Sequence, residues 1–298
     1  MRLVLATRRS QLALAQSRAF ARALEARVPG LAVEELHVVT TGDKTQTGPL
    51  QDIGGKGLFV KELEEALLDA RADFAVHSIK DVPGEVAPGC ALVCVPARED
   101  PRDVLVSRGG ARLVELPAGA RVGTSSLRRA VAVKATRPDL VVEPVRGNVD
   151  TRLRKVEDGS FDAVVLALSG LKRLGWEARA TEVLEPEVCL PAVGQGALGI
   201  ECRAGDDATI AAIRAMRDEE TSVCVAAERA VMKAVDGSCR MPVAAYAVRD
   251  GDALWLRAML AEPDGSRLRT SERRAPFPRD EEAAAFLGAT LGAELKHR

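Results

Sequence analysis

Positive charge recurs in this chain where expected strands hand over to helices. Five such junctions carry cations: Thr7-Arg8-Arg9-Ser10, Ser78-Ile79-Lys80-Asp81, Thr124-Ser125-Ser126-Leu127-Arg128-Arg129, Arg146-Gly147-Asn148 and Ser169-Gly170-Leu171-Lys172-Arg173. Open α/β sheets bind ligands at such junctions, because helix N-termini offer free N–H groups there. Arg128 and Arg129 fall in the first turn of an expected helix, where the helix dipole disfavours positive charge. A bound anion would relieve that conflict. Residues 121–155 hold nine cations and three acids, a local +6. One arginine in such a stretch reads as half of a solvated ion pair. Five cationic junctions together point instead to a polyanion site. Guanidinium forks suit carboxylates and phosphates equally, so the anion stays open at this step.

Two further residues could do chemistry. Asp81 is a carboxylate beside Lys80 and close to Ser78, at the end of an expected buried strand. Its bland role is a charge partner for Lys80 or a helix cap. Its functional role is proton transfer, or a counter-ion to positive charge developing on an otherwise anionic substrate. Cys239 lies in the turn Gly237-Ser238-Cys239-Arg240-Met241-Pro242 with a cation adjacent, a reactive-thiol setting that the other five cysteines lack. It is either an inert loop thiol or a covalent tether; no neighbouring His supports a Cys–His protease. Gly54-Gly55-Lys56-Gly57 lacks the phosphate-loop pattern, since Gly57 follows the Lys, and reads as a hinge.

The whole chain bounds these readings. It has 298 residues, 47% hydrophobic and 29% charged, enough for a sizeable core and a solvated surface. Cations and acids nearly balance at 42 and 43, which argues against a broadly basic partner for nucleic acid or membrane. Of the cations, 33 are Arg and 9 Lys. Three His (His37, His77, His297) leave little scope for a His-rich metal site. The six Cys form no C-x-x-C pair; Cys90 and Cys94 read as core thiols on one face of a strand, and a cytoplasmic setting is expected. No apolar run of about 18 residues predicts a spanning helix.

The elements that must position the chemistry follow a repeated plan. Strands are expected at Arg2–Ala6, Val33–Thr40, Asp73–His77 and Leu92–Val95, with helices from Ser10 and over Leu58–Ala70. Between them the Gly/Thr/Gln-rich residues 41–57 read as a long mobile loop, of a length that inside a compact domain is usually functional or disordered. A charged segment, Arg98 to Asp103, leads to a second series: strands at 104–106, 121–122, 140–145 and 162–167, and helices at 127–136, 149–157 and 169–174. The two series echo each other. Asp73-Phe74-Ala75-Val76 precedes Ser78-Ile79-Lys80 much as Phe161-Asp162-Ala163-Val164 precedes Ser169-Gly170-Leu171-Lys172. Two α/β lobes of similar plan with a cleft between them are expected. From Glu219 a helix, three alternating strands (244–248, 254–261, 267–272) and a last helix (280–295) describe a third, α+β domain.

At these residues the chain resembles the hydroxymethylbilane synthase (porphobilinogen deaminase) family. The likeness runs in order through Ala6-Thr7-Arg8-Arg9-Ser10, Gly54 to Glu62, Ala75 to Pro83, Arg98-Glu99-Asp100-Pro101-Arg102-Asp103, Val122 to Arg129, Arg146-Gly147-Asn148-Val149, Leu190 to Ala197, and Cys239 followed by Pro242. The resemblance implies two lobes like type II periplasmic binding proteins plus a C-terminal domain. Their bounds would be 1–97 with 191–214, 102–190, and 219–298. It implies a cytoplasmic monomer that joins four porphobilinogen units with loss of ammonia into hydroxymethylbilane. A dipyrromethane cofactor would be held by a thioether to Cys239, and the other partner is the growing polypyrrole chain; no nucleic acid or membrane is implied. Asp81 matches the catalytic Asp. Arg8, Arg128, Arg129, Arg146, Arg152 and Arg173 match carboxylate-binding arginines. Ser78, Lys80, Thr124 and Ser126 match cofactor contacts, and Ser10 and Gln16 lie near the incoming substrate. The residue before the cofactor cysteine is commonly Gly; here it is Ser238.

The chemistry fits those residue types. Each porphobilinogen carries an acetate and a propionate, so a growing chain needs many bidentate cations. Loss of ammonia leaves an electrophilic azafulvene, whose cationic successors one carboxylate can stabilise. Two alternatives are a non-catalytic receptor for a small polyanion, and a transferase acting on a phosphate substrate. The first leaves Cys239 and the third domain unexplained, and the second lacks a nucleotide motif.

Overall fold

In the computed structural model, residues 1–44, 60–236 and 241–297 are described. Strand β1 (Arg2–Arg8) turns Leu3 and Leu5 to one core and Val4 and Ala6 to another, so both of its faces are covered. Such a strand belongs inside a sheet, and β1 pairs in parallel with β2 (Ala32–Val38) on one side and β3 (Phe74–Ser78) on the other. Between β1 and β2 runs α1 (Gln11–Arg27), capped by Ser10, whose hydroxyl accepts the Ala13 N–H at 3.3 Å. After β2 come the single turn α2 (Thr41–Lys44) and α3 (Lys61–Leu68). The expected loop and the Gly54 to Gly57 hinge fall mostly or wholly outside the described residues.

The strand β4 (Cys90–Cys94) completes the first run and buries both its cysteines. The second run comprises β5 (Asp103–Ser107), β6 (Arg121–Gly123), α4 (Leu127–Thr136), β7 (Val141–Glu143), α5 (Val149–Glu157), β8 (Ala163–Ala167), α6 (Leu168–Arg173) and β9 (Glu182–Leu184). Strand β10 (Leu198–Arg203) then enters the first sheet antiparallel, between β3 and β4. Helix α7 (Asp207–Arg214) follows it. The sheet orders are β2-β1-β3-β10-β4 and β7-β6-β8-β5-β9. In each, three parallel strands are followed by an antiparallel fourth, so the echo seen in sequence is one topology used twice.

Contacts divide the chain into two compact units, Met1–Arg98 with Ala197–Ser222, and Glu99–Gly196 with Val223–Arg298. The first is an α/β sheet cored on both faces. The second holds its own two-faced sheet and also the C-terminal domain, which has a separate core. There α8 (Glu219–Ala234) and α9 (Glu281–His297) cover one face of the antiparallel sheet β11 (Val243–Asp250), β12 (Ala253–Leu260) and β13 (Arg269–Pro276). Leu254, Leu256, Ala258 and Leu260 point inward at alternate positions of β12. The two helices approach closely at Gly288, where any Cβ would overlap the Ala227 carbonyl oxygen. On the other face Ala244 and Met259 pack with Val131 of α4 and Leu190, which joins this domain to the second sheet.

Candidate active site

In the first unit the site residues gather where β1 and β3 end. The two strands run parallel in register, Ala6 opposite Ala75, so their last residues emerge at one edge of the sheet. Arg8, half-buried, closes β1, and Ser10 caps the helix that follows. Gln16 is buried on α1 and accepts a hydrogen bond from the Ser78 hydroxyl at 3.2 Å. Beyond Ser78 the chain makes one 3₁₀ turn, Ile79–Asp81. Buried Ile79 anchors that turn, and its N–H donates to the Ala197 carbonyl at 3.1 Å. Lys80 is half-buried and Asp81 exposed. Asp81 makes neither an ion pair nor a hydrogen bond with any described residue, so its bland roles as partner of Lys80 or as a helix cap are not taken up. His77 points to the other face, where its Nε2 lies 2.8 Å from the buried Glu201 Oε2.

In the second unit Thr124 and Ser126 shape the entry to α4. Buried Thr124 accepts the Ser126 N–H at 3.2 Å, and Ser126 caps the helix. Arg128 and Arg129 begin that helix, and both are buried. Here the sequence expectation needs correction: the anion that relieves their conflict with the helix dipole is supplied by the chain itself. Asp103, wholly buried at the start of β5, accepts Arg128 Nη1 on Oδ2 at 2.7 Å. Its Oδ1 accepts Arg129 Nε at 3.0 Å and Nη2 at 2.8 Å. Gln195 donates to the same Oδ1 at 2.8 Å, and the Cys189 thiol to Oδ2 at 3.1 Å. Burial alone would raise the Asp103 pKa, but the two guanidinium charges overcome it and hold the carboxyl well below its usual range. Two cations against one acid leave this cluster a net charge of +1.

The three acids already counted in the local +6 each hold an arginine of the same stretch, so these pairs leave that excess unchanged. Arg121 pairs with Glu143, Arg137 with Asp139 and Arg154 with Asp150. Arg152 donates to the Gly147 carbonyl at 2.8 Å, and Arg173 to that of Gly196 at 2.7 Å. Arg146, half-buried, has neither an ion pair nor a hydrogen bond among the described residues. Gly196 must be glycine: its φ is +87°, and a Cβ would overlap the Glu99 carbonyl oxygen.

Sequence reasoning placed Asp103 in a charged linker and missed Gln195, Cys189 and Glu228 as site supports. The available signal was an acid directly preceding the apolar run Val104-Leu105-Val106, since a charge entering a buried strand requires a partner. Cys239 and Ser238 lie outside the described residues. The five described cysteines are buried free thiols, and burial pushes Cys90, Cys94 and Cys189 up to about 12. Among the described residues no group of His, Cys, Asp and Glu could hold a metal, and no helix is long and apolar enough to cross a membrane.

The fold and these residues define an α/β protein of two lobes on one plan, arginines at its strand–helix junctions, with a third α+β domain. Family models match it twice: porphobilinogen deaminase, dipyrromethane cofactor binding domain, over residues 3–211, and porphobilinogen deaminase, C-terminal domain, over residues 222–297. It is 75% identical over 294 residues to the porphobilinogen deaminase of Sorangium cellulosum (strain So ce56), covering 99% of this chain and 98% of that protein. Among solved structures it is similar to a probable amino-acid ABC transporter extracellular-binding protein of Bacillus subtilis, at 10% identity and a TM-score of 0.43 over 72% of this chain and 88% of that one. It is also similar to a Salmonella typhimurium periplasmic binding protein, at 14% identity and a TM-score of 0.39 over 72% and 91%. The chain belongs to the porphobilinogen deaminase family. It is a transferase of porphyrin and heme biosynthesis that joins four porphobilinogen molecules head to tail with release of ammonia, using a dipyrromethane cofactor. The receptor alternative is not supported.

Proposed function

We propose that Asp81 is the catalytic carboxylate, that Cys239 carries the dipyrromethane through a thioether, and that the arginines named above hold carboxylates of cofactor and chain. The observation that carries this is Asp81 itself, exposed on its turn with no partner among the described residues, beside Ser78 and its hydrogen bond to Gln16. An unneutralised carboxylate there can accept a pyrrole N–H on one Oδ and stabilise the cation that ammonia loss leaves on the substrate ring. The same oxygen can take up the ring proton released when aromaticity returns. Ser10, Gln16 and Arg8 lie at the same edge of the first sheet, suited to orient the substrate's acetate and propionate.

The donor set fits a polycarboxylate cofactor. Arg146 is unpaired among the described residues, and the buried Arg128 Nε has no hydrogen-bond acceptor. Ser78, Lys80, Thr124, Ser126, Arg128, Arg129, Arg146 and Arg152 would hold the dipyrromethane, which when bound supplies the pyrrole terminus from which the chain grows. Arg146, Arg152 and Arg173 would engage the carboxylates of the lengthening product. Five buried free thiols among the described residues suit a reducing cytoplasm, and small molecules rather than nucleic acid or membrane are the partners of a monomer. The test is Asp81→Ala beside Cys239→Ser. Asp81→Ala should fold and lose at least ~100-fold in turnover, whereas substantial residual turnover overturns the assignment. Cys239→Ser should show no dipyrromethane adduct by intact mass; an adduct retained elsewhere on the chain overturns the tether.

A further inference from the structure

Asp103 is saturated by its neighbours. Its Oδ1 accepts from Arg129 Nε, Arg129 Nη2 and Gln195 Nε2, and its Oδ2 from Arg128 Nη1 and the Cys189 thiol. A carboxylate so enclosed cannot itself reach a ligand. Nor does strand β5 need one, since an apolar residue would serve a buried strand without the desolvation cost of an ion. What Asp103 serves is the guanidinium pair. Without it, two like charges would share a buried space at a helix N-terminus, repelled by each other and by the helix dipole.

Gln195 braces the same assembly. Its Nε2 also donates to the Pro101 carbonyl at 2.6 Å, while its Oε1 faces Arg128 Nη2 at 3.5 Å and Arg129 Nη2 at 3.4 Å. Arg129 Nη1 is tied to the Val165 carbonyl at 3.2 Å, and Arg128 Nη1 to that of Leu190 at 2.6 Å. Both side chains are thereby fixed by groups that belong to the chain alone.

We propose that Asp103 is a positioning residue for carboxylate recognition: it keeps Arg128 and Arg129 paired and in place before any ligand arrives. This rests on the assignment of those two arginines as carboxylate-binding groups. Preorganisation of this kind is felt in ligand affinity, because a ligand then does not have to order the cations it meets. Removing Asp103 therefore weakens cofactor loading and porphobilinogen binding more than it slows the chemical step.

The experiment compares Asp103→Ala, Asp103→Asn and Arg129→Ala with the unmodified full-length enzyme. It reads the fraction carrying dipyrromethane by intact mass, and KM against kcat for porphobilinogen on the loaded fraction. Asp103→Ala should lower loading and raise KM roughly 10- to 100-fold with a smaller change in kcat. Formate, a carboxylate small enough for the vacated space, should restore KM where chloride at equal ionic strength does not. Asp103→Asn keeps the volume and should raise KM without formate rescue, which preserves the test if the alanine variant does not fold. Normal loading and KM in both Asp103 variants, with Arg129→Ala impaired, overturns the proposal alone. So does a loss confined to folding or kcat that formate leaves unmoved. Normal loading and KM in Arg129→Ala overturns the assignment on which it rests.

Discussion

Glu228 is wholly buried on α8, and replacing it with alanine strands two backbone groups. Its Oε2 accepts the Gly194 N–H at 2.7 Å and its Oε1 the Ala247 N–H at 2.9 Å. The first bond ties the segment around Gly194 to the C-terminal domain, and the second ties β11 to the same helix. Each N–H left without an acceptor costs about 1–3 kcal/mol, so the pair costs about 2–6 kcal/mol. At about 2–4 °C per kcal/mol, the melting temperature should fall by about 4–24 °C. Glu228→Gln retains one acceptor but sets an amide N–H against the other donor, so a drop near half as large is expected. Calorimetry on the cofactor-loaded enzyme measures both. The consequence should extend to binding, because the same segment carries Gln195, bonded to Asp103, and Gly196, whose carbonyl accepts from Arg173. A Glu228→Ala protein with unchanged melting temperature and unchanged KM for porphobilinogen would refute this reasoning.

The depressed pKa of Asp103 sets the sign of an acid effect. An unfolded Asp titrates near about 3.9, so the stability contributed by the ionised group is complete above that pH and lost as pH falls toward the lower folded value. The difference in melting temperature between the natural protein and Asp103→Asn should be constant above about pH 5 and shrink below about pH 4; a difference that grows on acidification contradicts the pairing. Thiol chemistry gives a second check. With Cys90, Cys94 and Cys189 pushed up to about 12, and Cys202 to about 11, these buried thiols should resist alkylation at pH 8 in the native state. Iodoacetamide should then modify Cys239 in protein lacking the cofactor and leave loaded protein unmodified there. Modification of Cys239 in loaded protein counts against the thioether.

Much of the architecture is legible in the sequence where structure is local. Leu127–Thr136 and Val149–Glu157 form helices over the expected ranges, because the spacing of their apolar residues, and for the first its Ser126 cap, act within a few turns. Ser10 caps α1 for the same reason. The three C-terminal strands follow from alternation, which shows when one face of a sheet is covered by helices. Their bounds shift by a few residues because pairing with a neighbour, not the pattern, decides where a ladder stops. The destination of Leu198–Arg203 is not legible in this way. An apolar Gly-containing run fits a strand in any sheet, and only the place between β3 and β4 makes it part of the first unit.

The candidate site divides along the same line. Sequence by itself determined which side chains are available: a carboxylate at Asp81, cations at the junctions, a thiol at Cys239, and few histidines. It also determined the family, through motifs that recur in order along nearly the whole chain. Tertiary structure decided which cations already have partners. Arg128 and Arg129 meet Asp103, some 25 residues earlier in the chain, and Gln195, some 66 residues later, through groups that only the fold brings together. Arg121 and Arg137 find acids nearby, while Arg146 is left unpaired among the described residues. The physical reason is that burial raises the cost of an unpaired charge far above its cost in water, and burial is set by long-range packing rather than by neighbours in sequence. A count of charges along the chain therefore shows where an anion would be attracted. Only the packed structure shows which of those cations the protein has already paired with its own acids.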